Sequence, residues 1–258
     1  MPKGSLTCVG TGMLLAGQVT QEALSTMESA EKLFFLVHDS VTQEWLRELN
    51  PSAESLYDSY GEGRDRSETY AEMAQRILAP VREGKRVCAA FYGHPGVFVQ
   101  PSHDAIAKAR AEGHEARMLP GISSEDCLFA DLGVDPGTRG CQSFEATDFL
   151  LRRRRFDPRS MLVLWQVGAI GIRDFRKSEL WNRDGVEVLA SVLLKTYPPE
   201  YEVIIYEATP YPVCKPVIHH VALAELGQAP ITLRTTLCVP PLPDRKSDEA
   251  MARRLGLR

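Results

Sequence analysis

The stretch "LYDSYGEGRDRSETYAEMAQ" (56–75) places Tyr57, Tyr60 and Tyr70 beside Arg64 and Arg66 in chain that is otherwise small or charged. Phenols and guanidiniums are costly to bury without partners and are seldom needed in a solvated loop. A phenol held against a guanidinium has a chemical use. The positive charge favours negative charge on the phenol oxygen, so the pair can take up or relay a proton. Asp65 followed by Glu68 is a capping-box pattern, which starts a helix at Arg66. On that helix Arg66 and Tyr70 are i and i+4 and share a face, so the guanidinium eases charge on Tyr70. Tyr57 and Tyr60, with Gly61 and Gly63 after them, lie on the approach and can fold back over that face. The competing reading is a surface cation–π pair with packing tyrosines. Sequence physics leaves the two open.

Other candidates sit where strands end. "VGTG" (9–12) follows an apolar run, but the glycine that would complete a dinucleotide fingerprint, Gly17, is two positions late. A tight strand-to-helix turn is the better reading. "FYGHPGVF" (91–98) follows a second apolar run and brings two glycines and a proline to the place where α/β proteins bind ligands. His94 there can act as a base, although a lone turn histidine is more often structural. "PGISSED" (120–126) repeats the pattern, with Ser123 and Ser124 as ligand contacts or helix caps. Gln166 in "LWQVGAIG" ends another apolar run and requires a partner. "YEATPYP" (206–212) ends a run in the same style, with Ala208 small enough for close approach. The run Arg152–Arg155 reads as a solvated loop.

The elements that must carry these residues alternate. In the first half, apolar strand-like runs at 6–12, 32–37, 86–93 and 115–121 are separated by helical patterns at 19–30, 41–49, 65–83, 102–113 and 123–133. Such alternation predicts right-handed crossovers and a mainly parallel sheet. The second half offers strands at 160–168, 201–209 and 235–241 and a helix over 185–198, a second α/β domain. The expected division is 1–120, 121–243, and a charged tail over 244–258. With 258 residues, 44% hydrophobic, 25% charged and a net charge of −4, nothing global points to nucleic acid or an anionic membrane. No apolar run approaches the roughly 20 residues of a membrane span, and no signal-peptide block precedes the first strand. Six scattered cysteines show no metal spacing, so a reduced, cytoplasmic, metal-free protein is expected.

In order and spacing, "VGTG", "YGHPGVF", "PGISSE" and "LWQVG" resemble the tetrapyrrole-methylase superfamily. More narrowly, the spacing of Tyr57, Tyr60, Arg66 and Tyr70, with "GHPGVF", "LWQVG", "YEA" and a closing "TLCVPP", resembles the borosin peptide backbone α-N-methyltransferases, over about Ser5 to Pro241. The resemblance implies two α/β domains with a cofactor cleft between them, and S-adenosylmethionine as the cofactor. By position, Tyr92, Gly93, His94, Val97 and Phe98 would form the main cofactor loop, completed by Ser123, Ser124, Gln166, Ala208 and Thr236. It further implies methyl transfer to backbone amide nitrogens, with Tyr70 as base or relay, Arg66 stabilising charge, and Tyr57 and Tyr60 positioning the amide. A homodimer is implied as well.

Fungal members carry their substrate as a C-terminal extension, whereas "DRKSDEAMARRLGLR" after "PPLP" lacks the apolar run of such a substrate. The expectation is an enzyme of the split bacterial type, acting in trans on a separate precursor peptide. The alternatives are a carbon methyltransferase on a tetrapyrrole precursor, a nicotinamide oxidoreductase argued from "VGTG", and a non-catalytic peptide-docking module. The first would carry "GDP" where this chain has "GHP".

Overall fold

The central strands of the first half are apolar on both faces because both faces are covered. The computed structural model describes residues 3–175 and 180–257. Strands β1 (Ser5–Gly10), β2 (Lys32–Leu36), β3 (Glu54–Ser55), β4 (Arg86–Phe91) and β5 (Glu115–Met118) form a sheet of order β3-β2-β4-β1-β5. All of its pairings are parallel, as the alternation predicts. Helices α1 (Gln21–Ser29), α2 (Ser40–Leu49), α3 (Arg66–Arg82) and α4 (Gln100–Ala111) separate the strands, and α5 (Ser124–Leu132) follows. Successive residues of β2 point to opposite sides. Leu33, Phe35 and Val37 join Ala23 and Met27 of α1 and Leu46 of α2 in one core. Phe34 and Leu36 join Met73, Ile77 and Leu78 of α3 and Ala105 and Ile106 of α4 in the other. Uninterrupted apolar runs are what a doubly covered parallel sheet requires.

The second half contributes α6 (Pro136–Arg139), β6 (Cys141–Glu145), α7 (Ala146–Leu151), β7 (Met161–Trp165), α8 (Arg183–Leu193), β8 (Glu202–Glu207), β9 (Val217–Ala222), β10 (Thr236–Val239) and α9 (Glu249–Arg254). Its sheet runs β6-β7-β10-β8-β9, with β6 parallel and β10 antiparallel to β7. Leu162, Leu164, Val203, Ile205, Leu237 and Val239 pack with Val186, Leu189 and Leu193 of α8 in one core. Three of these five strands are legible as apolar runs. The other two, "CQSFE" and "VIHHVA", are half or fully exposed and carry no such run. Arg152 and Arg154 of the arginine run both pair with Asp148, at 3.2 and 2.8 Å, within their own turn.

The chain groups into two units, and the boundary differs from the one expected at 120/121. The first unit takes Met1–Val134, Gly171–Leu180 and Tyr206–Val217; the second takes Asp135–Ile170, Trp181–Ile205 and Ile218–Arg258. Helix α5 stays with the first unit for a local reason. Gln18 Nε2 donates to Cys127 Sγ at 3.3 Å, and Tyr206 Oη donates to Asp131 at 2.7 Å. Residues 173–175 are tied to the first unit by backbone ladder bonds: Gly63 N–H to Phe175 O (2.9 Å), Phe175 N–H to Arg64 O (3.0 Å) and Arg66 N–H to Arg173 O (3.2 Å). The expected tail over 244–258 contains α9, capped by Asp248, with Arg258 outside the described residues.

"VGTG" is a crossing point. Gly12 and Gly93 exchange backbone hydrogen bonds, Gly93 N–H to Gly12 O at 2.8 Å and Gly12 N–H to Gly93 O at 3.3 Å. A Cβ on Gly10 would lie 2.2 Å from Gly93 O, and one on Gly121 would lie 3.2 Å from the same atom. The loops after β1, β4 and β5 therefore meet backbone to backbone, which only glycine permits. Gly10→Ala should cost about 3 kcal/mol through this overlap, read as a lower urea midpoint. An unchanged midpoint would mean that the loops do not approach so closely.

Candidate active site

Helix α3 begins at Arg66 as the sequence predicts, but with a one-armed cap. Asp65 Oδ1 accepts from the Ser67 backbone N–H at 2.7 Å, while Glu68, expected to complete a capping box, lies 3.9 Å from Arg64. Arg66 and Tyr70 occupy the first turns and are half-buried. Tyr57 opens a short 3₁₀ turn over Tyr57–Ser59, and Tyr60 closes it, its N–H donating to Tyr57 O at 3.1 Å.

The hydroxyls meet electrostatically. Burial pushes the Tyr60 phenol well above its ordinary pKa. Repulsion from Tyr70 and Tyr92 and a hydrogen bond with Tyr70 push the same way, and the Arg66 charge pulls back. Tyr60 therefore keeps its proton, close to the Tyr70 hydroxyl. Tyr92 is 37% exposed as a residue, yet its hydroxyl is the sheltered end. Burial raises its pKa, Tyr70 adds to the rise, and Arg66 again opposes it. Four groups chosen from sequence spacing or resemblance thus share one local field.

Aromatic rings frame these hydroxyls. Tyr57 and Tyr60 lie 5.4 Å apart, centroid to centroid, and Phe175 stacks on Tyr60 at 4.8 Å. His38, just beyond β2, lies 4.7 Å from Tyr92 and 6.1 Å from Tyr57. Phe175 was not legible as a member, because the ladder with residues 63–66 that delivers it has no local sequence signature. His38 follows β2 and belongs to no motif that the sequence shows.

The candidate cofactor residues of the first unit cluster around the glycine crossing. Gly93 is buried within it at φ 68°. His94 Nδ1 accepts the Gly96 N–H at 2.9 Å, which assigns the ring proton to Nε2 and gives the histidine a turn-holding role. Val97 and Phe98 are exposed, at 41% and 49%. Ser123 is buried in a full capping box: its Oγ accepts from Asp126 N–H at 3.2 Å and donates to Asp126 Oδ2 at 2.7 Å. Its hydroxyl is committed to α5, and Ser124 is the first helical residue. Ala208 lies in the loop after β8, where Pro210 O accepts the Leu15 N–H at 2.9 Å and the Tyr211 hydroxyl reaches Asp39 at 3.4 Å.

In the second unit, Gln166 follows β7 and Thr236 opens β10, and the bond from Val167 N–H to Thr235 O (3.2 Å) ties those strand ends together. Thr236 is buried. Non-glycine residues with positive φ among the described residues include Phe98 at 56° and Gln166 at 58°. A bulky side chain in the left-handed region costs on the order of 1 kcal/mol or more and clusters at ligand sites. Ala16 and Arg153 hold positive φ as well, at 53° and 47°.

Residues 5–213 match the family described as Tetrapyrrole (Corrin/Porphyrin) Methylases. The chain belongs to that methylase family. A relative from Gymnopus fusipes, named as methyltransferase and ribosomally synthesized cyclic peptide gymnopeptides precursor, is 43% identical over 98% of this chain and 61% of its own length. Another, from Anomoporia bombycina, named as methyltransferase and type III borosin cyclic peptide precursor, is 42% identical over 98% of this chain and 30% of its own. The chain thus spans about three-fifths of the first relative and under a third of the second. Among solved methylases, a uroporphyrin-III C-methyltransferase from Thermus thermophilus, complexed with S-adenosylhomocysteine, superposes with a TM-score of 0.61 at 19% identity. It covers 92% of each chain, which makes the fold common to both.

The raised Tyr60 pKa has a consequence for stability. The unfolded chain releases this proton near the ordinary value of 10.0 while the folded protein retains it, so stability falls as pH rises past about 10. Tyr60→Phe removes this contribution and should flatten the decline between pH 9 and 11 in denaturant titrations. An unchanged slope would place the Tyr60 hydroxyl in water.

Proposed function

We propose that this protein is an S-adenosylmethionine-dependent methyltransferase that methylates backbone amide nitrogens of a peptide. One observation carries the reading: Tyr60, its pKa raised by burial, lies within electrostatic reach of Tyr70, Tyr92 and Arg66, so three phenols and a guanidinium share one spot. The identity to methyltransferase/precursor relatives supports the substrate class. Tyr92, Gly93, His94, Val97, Phe98, Ser123, Ser124 and Ala208 are the cofactor residues of the first unit in this proposal. The positive φ of Phe98 supports the assignment, and that of Gln166 supports a ligand role for Gln166 and its neighbour Thr236 in the second unit.

An amide nitrogen is a poor nucleophile because its lone pair is delocalised into the carbonyl. Its N–H must be broken, or its carbonyl oxygen given negative charge, before the nitrogen can form a new bond. Tyr70 receives the amide proton as its own phenolic proton passes to solvent. Arg66 stabilises the imidate-like oxyanion that remains. Tyr60, which keeps its own proton, and Tyr57 position the amide. Bound S-adenosylmethionine supplies an electrophilic methyl whose bonding pair leaves with the sulfur.

The split bacterial arrangement expected from the sequence draws no support from these relatives, which are fungal and named as methyltransferase and precursor together. The proposal therefore takes the peptide class and leaves out supply in trans. A homodimer belongs to the proposal on resemblance alone, and a cytoplasmic setting on the scattered cysteines. A second reading, carbon methylation of a tetrapyrrole, is favoured by the family description. The 19% identity of the uroporphyrin enzyme carries it less far than 43% carries the peptide reading.

Mass spectrometry of small molecules released from the denatured protein should find S-adenosylmethionine or S-adenosylhomocysteine; a nicotinamide nucleotide would overturn the proposal. Tyr70→Phe and Arg66→Ala should each slow peptide methylation by about a hundredfold or more with cofactor affinity unchanged in calorimetry. Wild-type rates would remove the assigned roles. Loss of peptide binding in place of turnover would favour a docking module, and turnover of a tetrapyrrole alone would favour the second reading.

A further inference from the structure

Arg76, further along α3, was not singled out by any motif, yet its guanidinium makes four hydrogen bonds into one short segment. Nη1 donates to Asp58 Oδ1 at 2.6 Å and Ser59 Oγ at 2.8 Å; Nη2 donates to Glu54 Oε1 at 2.7 Å and Ser55 O at 3.0 Å. Only 23% of the Arg76 side chain is exposed. Lys32 Nζ holds the other oxygen of Glu54 at 2.5 Å. Arg64 fixes the far end, donating to Ser59 O at 3.1 Å and Glu72 at 2.6 Å. The segment so held carries Tyr57 and leads into Tyr60. Its other anchors are Leu56, fully buried among apolar neighbours, and β2, with which Glu54 and Ser55 pair and to whose Phe35 O the Leu56 N–H donates at 2.8 Å.

The pairing with β2 ends at Leu56 and apolar burial is non-directional, so neither turns the chain beyond Leu56. A planar fork that grips acceptors before and after Tyr57 sets the turn. Burial alone would raise the pKa of Glu54, but its hydrogen bonds to Lys32 and Arg76 overcome this and lower it. The carboxylate is therefore charged when Arg76 engages it.

We propose that Arg76 is a positioning residue, which fixes the Tyr57–Tyr60 turn on α3 and thereby the meeting of the Tyr60 hydroxyl with Tyr70. Its consequence for methylation rests on the function proposed above; its consequence for the tyrosines does not. A lysine cannot replace it, because a single ammonium cannot grip both sides of the turn in a fixed plane.

The test is ¹⁹F NMR of fluorotyrosine-labelled protein, with Tyr57 and Tyr60 assigned by phenylalanine substitution. Arg76→Gln and Arg76→Lys should both shift or broaden these two resonances and leave Tyr197 and Tyr201 where they are. Peptide methylation should slow by roughly tenfold in kcat with cofactor Kd unchanged; a residue that only stabilised the fold would lower Tm and spare kcat. A folded Arg76→Gln variant with wild-type resonances and kcat overturns the proposal. If that variant does not fold, Asp58→Ala combined with Ser59→Ala removes the Nη1 grip alone. It should move the same two resonances by less, and unmoved resonances overturn the proposal. A wild-type protein that methylates no peptide defeats the function reading and leaves the resonances to judge Arg76.

Discussion

Gly12 and Gly93 exchange backbone hydrogen bonds across the ends of two neighbouring parallel strands, and much of the first unit is arranged around that contact. Parallel strands place their loops at one edge, and loops from adjacent strands compete there for space. Removing side chains at Gly10, Gly12, Gly93 and Gly121 lets the backbones cross. Once crossed, they fix where the chain can go next. Gln18 then secures the loop after β1, its Oε1 accepting from Met13 and Leu14 N–H at 2.8 and 3.0 Å. The turn after Gly93 is held by His94 Nδ1 on Gly96. Tyr92 is drawn by the same crossing to the edge where His38 emerges from β2.

At that edge the field is uneven. Three phenols lie close enough for their charges to repel, and burial of Tyr60 and Tyr92 makes ionisation of either costly. Arg66 is the group that opposes both shifts. Burial raises the pKa of two of these phenols and the guanidinium beside them pulls back, which sets both apart from the same side chain in water. Environment, not residue type, makes that distinction. The strained backbone at Phe98 is a second sign of local over-determination.

Support for the tyrosines comes from ion pairs of differing worth. Most surface pairs, such as Arg183 with Glu187, are exposed on both sides and contribute little. Arg76 and Arg64 differ in geometry: each is largely covered, and each grips more than one residue of the 54–59 segment or its neighbour on α3. Their value lies in orientation more than in stability. The ladder between residues 63–66 and 173–175 does comparable work, since it seats Phe175 on Tyr60.

The sequence by itself determined the parallel sheet of the first unit, the start of α3 at Arg66 and the shared helical face of Arg66 and Tyr70. Each follows from short-range rules: alternating apolar runs buried on both faces, an aspartate cap, and i to i+4 spacing. Short, half-exposed β6 and β9 escaped because pairing with a neighbour, and not burial, makes them strands. Ser123 was legible as a cap or a contact, and only the position of Asp126 decided for the cap. Tertiary structure alone decided that "VGTG" is a crossing, that α5 and residues 171–180 belong to the first unit, and that Phe175, His38 and Arg76 serve the tyrosines. These depend on contacts between residues far apart in the chain, where no periodicity or local hydrogen bond leaves a mark on the sequence.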